Sequence, residues 1–173
     1  MSVIVSFDKD FTDNKIVVTS RFNAPLGKIW SAFTNPLILG KWWAPQPYKA
    51  VTEEIDFREG GHWLYYMVSP EEKKTWSIVE FLKIQPQEYF EVWDAFCDEN
   101  GVIDTKLPRM MWRNSFSEKD DMTTVVNTII GEDVDDLKKI IEMGFEEGYK
   151  MGLNQLDGLL KSANYDKAAD WFG

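Results

Sequence analysis

The sequence predicts an α+β domain in which an antiparallel sheet packs against one long C-terminal helix. Three observations predict it. Apolar spacing is helical around residues 26–43, switches to period two from Tyr48 onward, and returns to helical spacing over 134–161. The connections between the alternating runs are short and rich in turn residues, which implies a meander rather than crossovers. The chain has 173 residues, 44% hydrophobic and 28% charged, the size and makeup of one globular domain. We place the core of that single domain, residues 1–173, at about 15–161, with 162–173 as a tail.

Residues 15–22 (KIVVTSRF) are rich in β-branched side chains and form the first expected strand. Asn23 is the expected cap, and Pro25 the first-turn proline, of a helix over 26–34 that carries Leu26, Ile29, Trp30 and Phe33 on one side. Asn35-Pro36 interrupts it, and a second short helix over 36–43 ends at Pro45 and Pro47. Six strands follow at 49–57, 61–68, 75–84, 89–97, 110–118 and 123–130. Their separators are Arg58-Glu59-Gly60, a turn at Pro70, Pro86-Gln87, Asp98-Glu99-Asn100-Gly101 and Lys119-Asp120-Asp121. The 98–108 connection is the longest and the one expected to move. The final helix, 134–161, starts at an Asp133 cap with Asp135 and Asp136 in its first turn. Leu137, Ile141, Phe145, Tyr149, Leu156, Leu159 and Leu160 share one half of its surface, so it lies one-faced on the sheet. The tail adds Trp171 and Phe172, with no pattern that docks them.

Charge and composition exclude several function classes. Nineteen Lys and Arg against 29 Asp and Glu leave a net charge of −10, unsuited to nucleic acid or to anionic membranes. One cysteine, Cys97, and one histidine, His62, exclude an internal disulfide and a Cys/His zinc cage, so neither metal nor cofactor is expected. No GxGxxG or GxxxxGK[ST] pattern points to a nucleotide. No basic-plus-apolar leader and no apolar run of membrane length is present, and the expected location is the cytoplasm.

The informative feature is a row of glycines, Gly144, Gly148 and Gly152, along the final helix. Each costs about 0.8–1.0 kcal/mol against alanine inside a helix. Two compensations fit: a close backbone approach to sheet side chains, or open space left beside the helix. Around this row the strands supply Trp63, Tyr65, Trp76, Trp93, Trp112 and Phe116, and the second helix supplies Trp42 and Trp43. One of those two indoles should plug the core while the other borders a pocket mouth. The ligand-lining set expected on this basis is Trp43, Trp63, Tyr65, Trp76, Glu80, Trp93, Trp112, Phe116, Phe145, Gly148 and Gly152.

Among polar residues, Glu80 shares a strand side with Trp76, Ile78, Leu82 and Ile84. It reads either as an ion pair with Arg109 or Arg113 or as a site carboxyl of raised pKa. Asp56, Glu91 and Asp94 are expected on exposed strand faces. His62 alternates with Leu64 and Tyr66, while Trp63 shares its face with Tyr65 and Met67, and only one set can point inward. A solvated strand-edge role for His62 outweighs one as general base. Cys97, beside Asp98 and Glu99, lacks the positive surroundings of a reactive thiolate, and no Ser-His-Asp triad assembles around the lone histidine.

The strings Phe22-Asn23-Ala24-Pro25, Ile29-Trp30-Ser31-Ala32-Phe33-Thr34-Asn35-Pro36 and Lys41-Trp42-Trp43-Ala44-Pro45 occur in that order. Asp56-Phe57-Arg58-Glu59-Gly60-Gly61-His62-Trp63, Glu80-Phe81-Leu82, Pro86-Gln87-Glu88-Tyr89 and Gly144-Phe145-Glu146-Glu147-Gly148 follow. Together they resemble the family of activator of heat-shock-protein-90 ATPase homologues, within the SRPBCC or START-like superfamily. The resemblance implies a helix-grip fold, a curved antiparallel sheet wrapped around the C-terminal helix with two short helices closing one end. It implies, as the leading expectation, a cavity between sheet and helix for a lipid-, sterol- or polyketide-like ligand. Two alternatives stand beside it: a co-chaperone module whose partner is a heat-shock ATPase, and a cyclase- or hydrolase-like enzyme using Glu80 or His62 in that cavity. No catalytic residue is assigned, and oligomeric state is not legible. The 98–108 segment departs from many relatives as an insertion.

Overall fold

The computed structural model describes residues 2–162, so Trp171 and Phe172 lie outside the described residues. Eight antiparallel strands form one curved sheet: β1 (Ile4–Asp10), β2 (Lys15–Phe22), β3 (Lys49–Ile55), β4 (His62–Val68), β5 (Lys74–Gln85), β6 (Tyr89–Cys97), β7 (Met110–Lys119) and β8 (Met122–Gly131). Their order is β1-β2-β8-β7-β6-β5-β4-β3. The six later strands form the expected meander, and β2 closes onto the last of them, Lys15 opposite Ile130 through Phe22 opposite Thr123. β1 was not expected, because its charged Asp8-Lys9-Asp10 end breaks the alternation. It pairs with β2 across a turn in which Asn14 takes φ of 55°.

Two short helices, α1 (Leu26–Thr34) and α2 (Pro36–Trp42), cross one end of the sheet. Pro25, not Asn23, occupies the α1 cap position, with no side-chain bond. The capping asparagine is Asn35, whose side chain accepts from Leu37 N at 2.9 Å to start α2. Beneath α1, Trp30 meets the rings of Phe57, Phe90 and Phe116 at 5.1–6.1 Å. Trp42, 1% exposed, donates its indole N–H to Ala32 O at 2.8 Å. This half of the interior is filled mainly by aromatic rings.

The expected long helix is two. α3 (Val134–Glu142) begins at Asp133, whose carboxylate accepts from Asp136 N at 2.8 Å. α4 (Phe145–Leu160) begins after Gly144, which sits at φ of 89°. A positive φ ends helical geometry and costs glycine little, so this residue is a joint rather than a member of a smooth stripe. The apolar spacing hid the joint because it continues on both sides. Gly152 answers differently: a Cβ there would lie 3.3 Å from Trp42 O and 3.5 Å from Trp43 O, so α4 and α2 touch backbone to backbone. Gln155 fastens this contact, donating to Trp42 O and Ala44 O and accepting from Gln46 N at 2.8–3.0 Å. The 98–108 loop is folded on itself, Asp98 Oδ1 accepting from Asn100 N and Val102 N, with Ile103 bridged to Cys97. No helix among the described residues is long and apolar enough to cross a membrane.

Candidate functional site

Strand alternation decides which residues reach the concave face. On β4, Trp63, Tyr65 and Met67 point inward, and His62 outward, where its Nε2 meets the Glu54 carboxylate. On β5, Ser77, Val79 and Phe81 are buried while Glu80 is exposed. On β7 the inward set is Met110, Trp112, Asn114 and Phe116, and on β8 Thr123, Val125, Asn127 and Ile129.

Between this face and the α3–α4 joint lies a cavity of about 300 Å³. Tyr65, Trp112 and Ile129 form its floor, Phe145, Gly148 and Tyr149 its roof, and Trp43 with Pro45 its inner end. Its exposed lining residues, Thr75, Met143 and Gly144, mark the mouth. A second void of about 30 Å³, enough for one water, lies deeper and shares Trp43, Asp94 and Trp112 with the first. The two glycine compensations therefore both occur. Gly152 is a backbone contact, and Gly148 is a wall of the cavity, where an added Cβ would meet only Pro45 Cγ, at 3.7 Å.

Of the expected lining residues, Trp43, Tyr65, Trp112, Phe145 and Gly148 border the cavity together. Trp63 stacks behind Tyr65 at 4.0 Å and donates to Thr52 Oγ1. Phe116 belongs to the aromatic cluster under α1, and Gly152 is taken up by α2. Trp76, Glu80 and Trp93 are on the opposite, convex face: Trp76 packs on Tyr66, Arg109 covers the Trp93 ring at 4.0 Å, and Glu80 stands between His62 and Trp93 in register. Neither arginine pairs with Glu80; Arg109 binds Glu132 and Arg113 binds Glu91. Glu80 and His62, the two residues of the enzymatic alternative, are thus both outside the cavity.

The carboxyl that does enter is Asp94, expected on an exposed face. It shares strand parity with the buried Phe90 and Val92, and it lines the cavity beside Tyr65 and Trp112. Burial pushes its pKa from 3.8 up to about 7, offset in part by the neighbouring Trp112 indole. That N–H feels the carboxyl without hydrogen-bonding geometry, for Trp112 Nε1 is buried and has no partner among the described residues. Tyr65 Oη accepts from Trp43 Nε1 at 2.9 Å. Burial and then Asp94 hold the Tyr65 phenol far above its ordinary value. Burial does the same to Tyr149, whose hydroxyl donates to Asn127 Oδ1 at 2.7 Å. Cys97 is pushed up to about 11, by burial first and then by Asp98 and Asp94, so it is a thiol at neutral pH.

A raised carboxyl pKa means the folded protein holds a proton that the unfolded chain has released. Asp94 therefore opposes folding increasingly as pH rises from about 4 to about 7, and its effect is level above that. Asp94→Asn is expected to remove this downward slope, which urea unfolding of both proteins across that pH range measures.

The profile of one protein family, Activator of Hsp90 ATPase homolog 1-like protein, matches residues 23–161. The chain belongs to this family. The activator-homologue family fold recurs in solved structures. A Mycobacterium smegmatis protein, Ms6760, is 28% identical with a TM-score of 0.84, the match covering 92% of this chain and 98% of that one. A protein from Arthrobacter aurescens is also 28% identical, TM-score 0.86, over 93% and 94% of the two chains. A third, from Staphylococcus epidermidis, reaches 30% identity at TM-score 0.79, over 91% and 94%. No curated protein matches the chain. Family membership carries the helix-grip architecture and a fold built to hold ligands; what this member holds is a matter for its own cavity.

Proposed function

We propose that this protein binds one small, mainly apolar or aromatic molecule between the sheet and α4. The cavity of about 300 Å³ beside Gly148 carries the reading. Its volume lies at the lower end of ligand pockets, and at roughly 30 Å³ per water it equals about ten waters. It therefore suits a one- or two-ring aromatic or a short acyl chain better than a sterol skeleton. The ligand enters past Thr75 and Met143 and stacks among Trp43, Trp112, Phe145 and Tyr149.

Trp43 and Trp112 line the space, so occupancy should change tryptophan emission. Titration with a panel of flavonoids, naphthyl compounds, medium-chain alcohols and sterols is expected to quench or shift emission saturably with the small members only. A panel silent in both fluorescence and calorimetry overturns the reading. Saturable binding of sterols alone removes the size argument.

A further inference from the structure

The cavity is greasy except at one place. Tyr65, Ser77, Asp94 and Trp112 converge where β4, β5, β6 and β7 lie side by side. Such a group inside an apolar wall is expensive unless it is paired: buried charges in proteins are matched by an opposite charge or by a metal. Asp94 has neither. Among the described residues no lysine, no arginine and not the histidine forms an ion pair with it. Its own strand carries no lysine or arginine, and the arginines at and just before β7 point the other way. Arg109 lies over Trp93 and binds Glu132, and Arg113 lies over Tyr89 and binds Glu91, all on the convex face.

The neutral neighbours of Asp94 offer it hydrogen-bond donors at most, and no charge. Tyr65 on β4 accepts from Trp43 and stays a neutral phenol, held so by burial. Tyr149 on α4 donates to Asn127. Ser77 on β5 and Trp112 on β7 are neutral, and Cys97 on its own strand is a thiol at neutral pH. No positive charge and no second carboxylate faces Asp94 from these elements. What borders the carboxyl on its open side is the cavity.

We infer that the ligand of this site carries a basic nitrogen, an alkyl- or arylammonium group on an apolar body, and that Asp94 is its counterion. This rests on the cavity reading above and narrows its ligand class. The ammonium N–H groups donate to the Asp94 carboxylate, while the ring or chain lies against Trp112, Phe145 and Tyr149. The indole faces nearby favour a cation a second time through their ring quadrupoles. Anionic ligands such as fatty acids would instead set a carboxylate against a carboxyl, and so are disfavoured. Because Asp94 ionises near neutrality, occupancy is pH-dependent: the site strengthens as pH rises through about 7 and releases its ligand on acidification.

The test uses three probes of one size: naphthylmethylamine, naphthylmethanol and naphthoic acid, measured calorimetrically on the full chain. At about pH 8 the amine is expected to bind about tenfold or more tighter than the alcohol, the low end for a charge-assisted hydrogen bond. The acid should bind weakest. At about pH 5.5, where the amine stays protonated and Asp94 does not stay ionised, the preference should fall about tenfold. Asp94→Asn should erase both the preference of the amine over the alcohol and its pH dependence. An alcohol or acid that binds as tightly as the amine, or a preference that survives in Asp94→Asn, overturns the inference and leaves the cavity reading standing. If no probe and no panel member binds, the cavity reading falls and takes this one with it. If Asp94→Asn does not fold, the pH dependence of the wild-type preference decides alone.

Discussion

Gly148→Leu is expected to abolish binding in the cavity while the protein stays folded. An added Cβ at Gly148 meets only Pro45 Cγ, at an ordinary 3.7 Å, so the first carbon is accommodated. The remaining three carbons of leucine extend from a wall of the cavity, whose volume is about 300 Å³. The helix also gains, since replacing glycine inside it recovers about 0.8–1.0 kcal/mol. Affinity for any probe that titrates the wild type should fall more than about tenfold, and the melting temperature should hold or rise. The paired control is Gly152→Ala, one turn further along the same helix. There the added carbon presses on Trp42 O at 3.3 Å, so the helical gain is cancelled and the protein loses stability without losing the cavity. The two glycines look alike in sequence and are expected to separate completely in these two measurements. Wild-type affinity in Gly148→Leu would place the ligand somewhere other than this cavity.

That separation shows where the sequence was legible. Period two from Tyr48 and turn chemistry between the runs located six of the eight strands, because both signals are local. β1 lacked alternation, and its place came from pairing with β2, a long-range fact. The joint at Gly144 escaped because α3 and α4 keep the same apolar side, so periodicity carries no mark of the positive φ between them. At the site, the error was one of parity. Size points to Trp93 and charge sends Asp94 to solvent, yet the buried Phe90 and Val92 share the parity of Asp94. Extending the apolar set along β6 by twos predicts an inward carboxyl. The same rule on β5 sends Glu80 outward, since Ser77, Val79 and Phe81 occupy the inner face. Large aromatic residues on a strongly curved sheet serve both faces: Trp76 and Trp93 pack outside with Tyr66 and Arg109, where composition alone makes them look like pocket walls.

Asn127→Leu is expected to cost about 2–6 kcal/mol, because it leaves two buried polar groups without partners at about 1–3 kcal/mol each. Asn127 is fully buried on β8, directly opposite Asn114 of β7. Its amide donates to Asn114 Oδ1 at 2.6 Å, and its carbonyl accepts from the Tyr149 hydroxyl at 2.7 Å. These two bonds tie α4 to the middle of the sheet and fix the Tyr149 ring, which stacks on Phe145 and stands edge-on to Trp112 in the cavity roof and floor. Leucine fits the volume but offers neither bond, so the phenol and Asn114 are stranded away from water. Tyr149→Phe removes one bond and strands only the Asn127 carbonyl, so its cost should be smaller. In the double variant the stranded phenol is gone, and the combined loss should fall short of the sum by about 1 kcal/mol. Urea unfolding of the four proteins measures this coupling. Strict additivity would show that the three side chains do not act as one network, and that the ring of Tyr149 is held by packing alone.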